Sequence, residues 1–403
     1  MSVHATDAES GPSACPYPFG EANRLDLEPE YSDLRAHAPM ARVEMPFGGQ
    51  AWLATGYDAV RQVLLDPRFS RALAADPDSP RLSPEIPPAS AIVSLDPPEH
   101  TRVRRLVARA FSMSAVEQQR LRVRSIVTDL LDGMDRSGAP ADLVAEFALP
   151  LPLTVICEML GVPLQDHDRF RRFTGALVTR SVAREEVADA RADLEDYLWT
   201  LLERRRAEPT DDLLSALMLA RVDSDGLADV EVINLAVGLL VGGHESTATH
   251  LTSSVFTLLQ HPDELEALRR RPELIESAVE ELLRFVPVGV AGGFVRVATE
   301  NVQVGDVLVG AGEAVLPAMI SANRDEAVFA AADRLDLERG RSPHLGFGHG
   351  AHHCIGSQLA RMQLQEGIGG LIQRFPSLRL ADAPLDWKTQ LVQRGFASLS
   401  VAW

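Results

Sequence analysis

Cysteine is scarce in this sequence: 403 residues contain only Cys15, Cys157 and Cys354, and they lie far apart. Three distant cysteines provide no disulfide framework, which is typical of proteins in a reducing compartment, so we expect a cytoplasmic location. No apolar run reaches the roughly 18 to 20 residues that a membrane helix needs. The first residues also lack the basic and apolar regions of a secretion signal. We therefore expect no membrane as a partner.

Several other features are missing. There is no Gly/Ser linker, low-complexity block or repeat, although this length would ordinarily suggest two or three domains. The net charge of −18 argues against nucleic acid or an anionic membrane as a partner. Aromatic residues make up 5% of the chain and hydrophobic residues 46%. The composition therefore predicts a large hydrophobic core with few bulky rings in it.

The segment Phe347-Gly-His-Gly-Ala-His-His-Cys354-Ile-Gly356 is the most informative part of the sequence. Glycines before and after the cysteine favour a loop, and the chain turns helical from Ser357. A cysteine at a helix N-terminus lies near unpaired backbone N–H groups, which favour a thiolate.

Two other interpretations of this segment must be considered. Without its neighbours, a lone cysteine is most simply a small buried hydrophobe. A zinc site is conceivable from Cys354 and the nearby histidines His344, His349, His352 and His353. Structural zinc sites, however, usually contain cysteines paired at close spacing, and the other two cysteines are remote.

The pattern Phe-x-x-Gly-x-x-x-Cys-x-Gly resembles the haem-binding loop of cytochromes P450 of the soluble bacterial type, which act in secondary metabolism. The resemblance covers residue 17 to the end. It implies a mainly α fold, a helical bundle around haem b with a small β-rich region, as a single domain over 17–403 after a flexible segment 1–16. It also implies that Cys354 is the thiolate ligand of the haem iron.

Other residues match the family's remaining haem contacts. Asp96-Pro-Pro-Glu-His100 opens a predicted helix on which His100 and Arg104 share one face, and the resemblance assigns both to the haem propionates. Arg105, about 100° round the helix, is expected to face solvent or a partner. The resemblance implies that the cofactor-binding residues are His100, Arg104, Gly243, Arg296, Phe347, His352, Cys354 and Gly356.

A long helix is predicted from about residue 229 to about residue 260, with Gly242-Gly243-His-Glu245-Ser246-Thr247 in its middle. Adjacent glycines and hydroxyl residues are unfavourable there and often mark a functional interruption, although close helix packing at the glycines is an alternative. The segment resembles the oxygen-activating signature of cytochromes P450. This resemblance makes Glu245, Ser246 and Thr247 the catalytic candidates for handling dioxygen and protons, with Ser246 where threonine is usual.

Glu281 and Arg284 are spaced to pair along one helix face. This spacing alone is weak evidence for a special role, because surface helices contain many such pairs. In cytochromes P450 this pair is buried and joined by a third arginine. The resemblance assigns that third position to Arg334, although Ala332 stands where the family usually has proline.

Substrate contacts are expected in four variable segments: the proline-rich loop 72–92, predicted to be a mobile lid, residues 173–184, residues 288–294 and the terminal turn 393–396. The predicted pocket residues are Val288, Val290, Ala291, Phe294 and Phe396. Small residues near position 290 favour a roomy cavity for a bulky substrate.

The resemblance implies a monomeric oxidoreductase that uses haem b, dioxygen and two electrons from a separate ferredoxin or flavodoxin. The first hypothesis is a monooxygenase that hydroxylates or epoxidises a bulky natural-product scaffold. A second is oxidative coupling, in which a radical reaction joins aromatic substrates through C–C or C–N bonds. A third is a haem-thiolate sensor or carrier without turnover, which would not need the segment around Glu245.

Overall fold

The computed structural model describes residues 14–20, 24–83, 86, 88–167, 169–170, 173, 184–222, 225–289, 293–340, 342–388 and 393–403. The α-helices in these ranges are α1 Pro29–His37, α2 Tyr57–Leu65, α3 Glu99–Ala108, α4 Met113–Ser137, α5 Pro150–Met159, α6 Arg184–Ala207, α7 Leu213–Leu219, α8 Asp229–Gln260, α9 Pro262–Arg270, α10 Ile275–Phe285, α11 Met319–Ala322 and α12 Ser357–Arg374. Single 3₁₀ turns lie at Leu73–Ala75, Ile92–Ser94, Leu164–Asp166, Pro272–Leu274 and Gly350–His352, and a π-helical turn at Val144–Ala148. The prediction of a mainly α fold with a small β region is confirmed.

The strands are short. They are β1 Cys15–Pro16, β2 Met40–Glu44, β3 Gln50–Ala54, β4 Phe69–Ser70, β5 Ala141–Asp142, β6 Arg221–Val222, β7 Asp225–Gly226, β8 Arg296–Ala298, β9 Val302–Val304, β10 Val307–Val309, β11 Ala314–Pro317, β12 Arg379–Leu380, β13 Asp386–Trp387, β14 Phe396–Ser398 and β15 Ser400–Ala402. The largest sheet has the order β1-β2-β3-β11-β8-β4.

This sheet positions part of the site. Strand β8 lies between β11 and β4, so that Arg296 pairs with Val315 on one side and Val297 pairs with Ser70 on the other. The chain leaves β4 directly into Arg71, which therefore comes close to Arg296. Strand β1 pairs with β2, and residues 1–13 lie outside the described residues.

The helix α8, called the central helix below, begins and ends for identifiable reasons. Its first turn carries Asp229 and Glu231. Negative side chains at the N-terminus of a helix interact favourably with the helix dipole. The Glu231 carboxylate accepts the backbone N–H of Ala228 at 2.8 Å, which satisfies a donor that the helix leaves free. His261 leaves the helical conformation, and Pro262 starts the next helix. The predicted bounds are confirmed.

The core has one large apolar cluster, in which the central helix packs against α5, α6, α7, α9 and α12. Two smaller clusters lie against the large sheet. Nearly all of the central helix is therefore surrounded by protein. Within the described ranges, no helix is both long and apolar enough to cross a membrane.

Candidate active site around Cys354

The loop before α12 holds Cys354 in a closed backbone turn. The Cys354 N–H donates to the Phe347 carbonyl at 2.9 Å. Gly350 has φ of +72°, and a Cβ there would lie 2.5 Å from the Leu64 carbonyl oxygen. Glycine is therefore required for the loop to pack on α2. The predicted helix start at Ser357 is confirmed.

The Cys354 thiol is accessible although protein surrounds most of it. Burial raises the pKa of the Cys354 thiol, while the Gly356 backbone N–H, Arg104 and Arg361 act in the opposite direction. Arg104 also donates to the backbone carbonyl of His353. The thiolate therefore has nearby donors and positive charge, which are the features of a reactive or metal-binding cysteine.

Phe347 is half-buried beside this thiol. The Arg361 guanidinium lies over its ring, 4.6 Å from the centroid, and Arg361 also binds Glu280 at 2.6 Å. These contacts hold the ring in place.

A cluster of three arginines and two histidines lies near the thiol and spans four separate parts of the chain. Its members are Arg71, His100, Arg104, Arg296 and His352. The His100 and His352 rings are 4.2 Å apart. Burial lowers the pKa of Arg296 to about 10 and, together with the neighbouring His100 and arginines, lowers that of His352 to about 3. The cluster would accept negative charge.

Two buried atoms of this cluster lack a partner within the described residues, His100 Nδ1 and Arg296 Nε. Buried polar atoms are normally hydrogen-bonded, so such atoms point to a bound group. The nearby acid, Asp96, already accepts from Ser70 Oγ and from the Arg71 N–H. Two carboxylates from a ligand, such as haem propionates, fit this set of donors.

Sequence reasoning identified four members of the cluster and missed Arg71. The Arg71 side chain is 6% exposed and donates to the Val93 and Val295 carbonyls. Its guanidinium lies 4.9 Å from the centre of the Phe294 ring. The available signal was its position directly after the strand that pairs beside Arg296. Arg105 is exposed, as expected.

The central helix exposes a narrow strip in its middle. Gly242 and Gly243 are exposed and Ser246 is half-buried, whereas Glu245 and Thr247 are buried. The predicted interruption of the helix is wrong: the α-helix is continuous. The hydroxyls instead donate back along the helix, Ser246 to the Gly242 carbonyl at 2.7 Å and Thr247 to the Gly243 carbonyl at 2.9 Å.

The two hydroxyl candidates, Ser246 and Thr247, therefore differ in accessibility. A molecule that approaches the strip meets backbone at the glycines and the Ser246 hydroxyl, not Thr247. The Glu245 carboxylate is buried and forms an ion pair with Lys388. Sequence reasoning missed Lys388.

The predicted buried triad is correct in two members and wrong in the third. Arg284 binds both carboxylate oxygens of Glu281 at 2.7 and 2.8 Å, and both side chains are almost fully buried. The third arginine is Arg339, whose Nε lies 3.0 Å from each Glu281 oxygen. Arg334 is exposed and contributes only its backbone carbonyl, which accepts from Arg284 and Arg339.

The predicted substrate pocket is supported only in part. Phe294 is 60% exposed and Val288 is half-buried, while Val290 and Ala291 lie outside the described residues. The placement of Phe396 is wrong: it is 1% exposed and stacks on Trp387, with 4.1 Å between ring centres. It is part of the core.

The other predicted segments also fall partly outside the description. Residues 84, 85 and 87 of the proposed lid are not described, nor are most of residues 173–184. Among the described residues, no group of three or more His, Cys, Asp or Glu side chains converges as a metal site. The zinc interpretation of the histidine-rich loop is therefore not supported.

Comparison with known proteins gives a consistent result. The family model described as Cytochrome P450 matches residues 176–390. Nocardicin C N-oxygenase from Nocardia uniformis subsp. tsuyamanensis is 51% identical over 96% of this chain and 98% of its own. Mycinamicin IV hydroxylase/epoxidase from Micromonospora griseorubida is 47% identical over 96% of this chain and 98% of its own.

The fold agrees with these sequence matches. The solved structure of the mixed-function P450 MycG has a TM-score of 0.93 and 47% identity, covering 97% of this chain and all of that one. The chain therefore belongs to the cytochrome P450 family of monooxygenases, which use haem, dioxygen and electrons from external redox partners.

Proposed function

We propose that this cytochrome P450 inserts an oxygen atom into a bulky natural-product scaffold by hydroxylation or epoxidation. The observation that carries the proposal is the accessible thiol of Cys354 beside three arginines and two histidines, in a fold whose central helix exposes Gly242 and Gly243 and leaves Ser246 half-buried. The relatives reported above are named for N-oxygenation of nocardicin C and for hydroxylation and epoxidation of mycinamicin IV. Those names favour oxygen insertion over the coupling of aromatic rings and over a sensor or carrier.

The residues fit a haem. Cys354 would ligate the iron, and Phe347 would pack on the thiolate side. His100, Arg104, Arg296 and His352 would bind the propionates, and Arg71 would add a third guanidinium group. When bound, the haem supplies the iron at which dioxygen is activated for transfer to substrate.

Groups of the protein offset part of the cost of charging the buried thiol. Burial raises the pKa of Cys354, and the Gly356 backbone N–H and the Arg104 guanidinium oppose that shift. A charged sulfur held in this way is a stronger ligand than a neutral thiol. Iron ligation also requires Cys354 to stay unpaired, which a reducing cytoplasm favours.

Proton transfer is the second task of the protein. The Ser246 hydroxyl can donate a proton from Oγ and accept another, because a hydroxyl carries both functions. Glu245 is the neighbouring carboxyl group and can supply the replacement proton. We assign the accessible Ser246 to the direct contact and the buried Glu245 to the supply.

Substrate would enter where Phe294 and Val288 are accessible. Gly242 and Gly243 present no side chain there, so that a large scaffold can approach the central helix. The electron donor would be a ferredoxin or flavodoxin, and we propose that the protein acts as a monomer.

The test begins with haem-loaded protein and a library of natural products. Binding of a substrate should shift the iron from low to high spin, and turnover with surrogate redox partners should give a product heavier by one oxygen. A product that lacks hydrogens and joins two scaffolds would show coupling instead. A compound that binds without consumption of NADPH would not be a substrate. If every compound that binds behaved in this way, an enzymatic function would be contradicted.

The ligand assignment has a separate test. Cys354→Ser should abolish the red-shifted Soret band of the reduced CO complex, because serine provides no thiolate. Cys15→Ser and Cys157→Ser should retain the band. A band that persists in Cys354→Ser would mean that another group ligates the iron.

A further inference from the structure

Arg361 lies on the second turn of α12, and its guanidinium group makes two kinds of contact. It binds both carboxylate oxygens of Glu280 on α10, at 2.6 and 3.1 Å. It also lies over the Phe347 ring, 4.6 Å from the centroid. Phe347 belongs to the turn that holds Cys354, because its carbonyl accepts the Cys354 N–H. One arginine therefore connects an acid of α10 to the cysteine loop.

The Glu280 carboxylate has a second donor, His344, in the loop before α12. Nδ1 of His344 accepts the Gly346 backbone N–H at 3.0 Å, so Nδ1 carries no proton and Nε2 is the donor. Nε2 lies 3.1 Å from a Glu280 oxygen. Although burial raises it, the hydrogen bonds from His344 and Arg361 lower the pKa of Glu280 to about 2. Glu280 is therefore charged at neutral pH and held beside Arg361.

Gly346 allows this loop to pack closely on α10. A Cβ at Gly346 would lie 2.7 Å from the Leu283 carbonyl oxygen, which is too close for any other residue unless the backbone moves. The next residue towards the N-terminus, Leu345, is buried, and its N–H donates to Asn323 Oδ1 at 2.7 Å. The backbone on the N-terminal side of Phe347 is therefore fixed, and Arg361 packs on a firmly held ring.

The guanidinium charge of Arg361 also acts on the thiol. Burial raises the pKa of Cys354, and Arg361 is one of the groups that oppose this shift, together with the Gly356 N–H and Arg104. Arg104 belongs to the cluster assigned to the propionates, which would compensate its charge. The charge of Arg361 is compensated instead by Glu280, a residue of the protein. The balance of charge on this side of Cys354 therefore depends on the pair formed by Arg361 and Glu280.

We propose that Arg361 is a positioning residue that, balanced by Glu280, sets the reduction potential of the iron bound to Cys354. Reduction adds an electron to the iron site, so a nearby positive charge favours the reduced form and a nearby negative charge disfavours it. Groups outside the ligand itself tune a metal site in this way. The inference rests on the proposed ligation of iron by Cys354.

The competing explanation is that the pair only joins α12 to α10. A purely structural contact predicts the same disturbance from the loss of either partner, because either loss breaks the same contact. A balanced charge pair predicts opposite effects. Loss of Arg361 leaves an uncompensated negative charge, whereas loss of Glu280 leaves a positive charge that still lies over Phe347. The sign of the effect therefore distinguishes the two explanations.

The experiment measures the reduction potential of haem-loaded variants with small-molecule mediators, so that docking of a protein electron donor does not contribute. Arg361→Gln should lower the potential and Glu280→Gln should raise it. Each should change the equilibrium constant between ferric and ferrous iron roughly tenfold, which is about 59 mV for one electron. The double variant Arg361→Gln/Glu280→Gln should lie between the two. Shifts of the same sign, or no shift in either single variant, would overturn the inference.

The C–O stretch of the reduced CO complex is an independent readout. A thiolate beside an uncompensated carboxylate donates more electron density to the iron, which lowers the stretching frequency. Arg361→Gln should therefore lower the frequency and Glu280→Gln should raise it. Equal frequencies in the two variants would contradict the inference.

Arg361→Lys separates the charge from the flat shape of the guanidinium group. It keeps the positive charge, so its potential and C–O stretch should stay nearer to the wild type than those of Arg361→Gln. A shift as large as that of Arg361→Gln would show that charge is not the cause. If Arg361→Gln does not retain haem, Arg361→Met replaces it, and the rise expected in Glu280→Gln remains a test by itself.

Arg374→Gln is the matched control. Arg374 ends the same helix, roughly 20 Å further along its axis than Arg361, and binds Asp132 at 3.0 Å and Asp135 at 2.7 Å. Its loss should leave the potential unchanged. A shift equal to that of Arg361→Gln would overturn the inference. A wild type without the red-shifted Soret band of the reduced CO complex would instead refute the proposed ligation by Cys354.

Discussion

Arg339 donates from one nitrogen, Nε, to both carboxylate oxygens of Glu281, at 3.0 Å each. Arg284 donates hydrogen bonds to the same carboxylate, so two guanidinium groups bind one buried acid. Arg339 also donates to the Ala330, Ala331 and Arg334 carbonyls. The set joins α10 to the irregular segment before the cysteine loop, through carbonyls at positions 330–334. Its function is structural.

Removal of Arg339 should therefore destabilise the fold. Arg339→Met would leave Glu281 with one partner fewer and several carbonyls without donors, at a cost of roughly 3–5 kcal/mol in the free energy of unfolding. Glu281→Ala and Arg284→Ala should have at least that effect and should lose haem. Urea unfolding and the haem-to-protein ratio measure both quantities.

Arg334→Met is the control, because the Arg334 side chain is exposed and only its backbone takes part. We expect a change within about 0.5 kcal/mol. If Arg334→Met were as damaging as Arg339→Met, the assignment of the third arginine would be wrong.

Loss of the Ser246 hydroxyl should uncouple oxygen activation. Ser246→Ala should slow product formation and divert electrons to peroxide, with the spin shift unchanged, because the group that transfers the proton is missing. Ser246→Thr should retain or improve coupling, since the hydroxyl remains and the extra methyl restricts χ1.

Thr247→Ala tests the choice between the two hydroxyls. Thr247 is buried and bonded to the Gly243 carbonyl, so its loss should affect stability more than coupling. A silent Ser246→Ala with an uncoupled Thr247→Ala would move the role by one residue. If both variants were silent, protons would have to arrive through water or substrate.

The cluster of arginines and histidines should determine how firmly haem is held. Arg296→Gln removes a buried guanidinium from the proposed propionate site and should speed haem transfer to apomyoglobin by roughly tenfold, the equivalent of one charge-assisted hydrogen bond. Arg105→Gln, on an exposed face of α3, should leave the rate unchanged. Equal rates for the two variants would remove Arg296 from the site.

Glu280 should make part of the stability dependent on pH. Burial raises its pKa, but the hydrogen bonds from His344 at 3.1 Å and Arg361 at 2.6 Å outweigh it and lower the pKa of Glu280 to about 2. Because the folded pKa lies below the unfolded value, the stabilisation is complete above about pH 4.5 and is lost as the pH falls towards 2.

Glu280→Gln should therefore be less stable than the wild type at neutral pH, by roughly 1–2 kcal/mol after allowance for its partial exposure. The difference should shrink as the pH is lowered from about 6 to about 3. Urea titrations at each pH measure it, and a difference that stays constant would contradict the linkage.

Local patterns made the cysteine loop and the central helix predictable. Glycines around Cys354 and the acidic start and proline stop of the helix act within a few residues, so their effect is visible in the sequence. The choice between Arg334 and Arg339 was not predictable in this way. It depends on how a turn closed by the Arg339 N–H on the Asp336 carbonyl aims the side chain.

Contacts between distant segments were also missed. Lys388 and Glu245 are 143 positions apart, and Arg71 meets Arg296 only because β4 and β8 are neighbours in the sheet. Phe396 was assigned to the pocket from the position of its turn. Its ring instead stacks on Trp387 and contacts the tilted Phe256 ring, which is decided by tertiary packing.

The ion pair between Glu28 and Arg394 joins residues separated by 366 positions. During synthesis, domains form as the chain emerges, with N-terminal parts first. The terminal turn 393–396 can be fixed by this pair only after Arg394 has been made, when almost all of the protein already exists. The segment around Glu28 can therefore reach its final contacts only at that point, so that an early part of the chain waits for one of its latest residues.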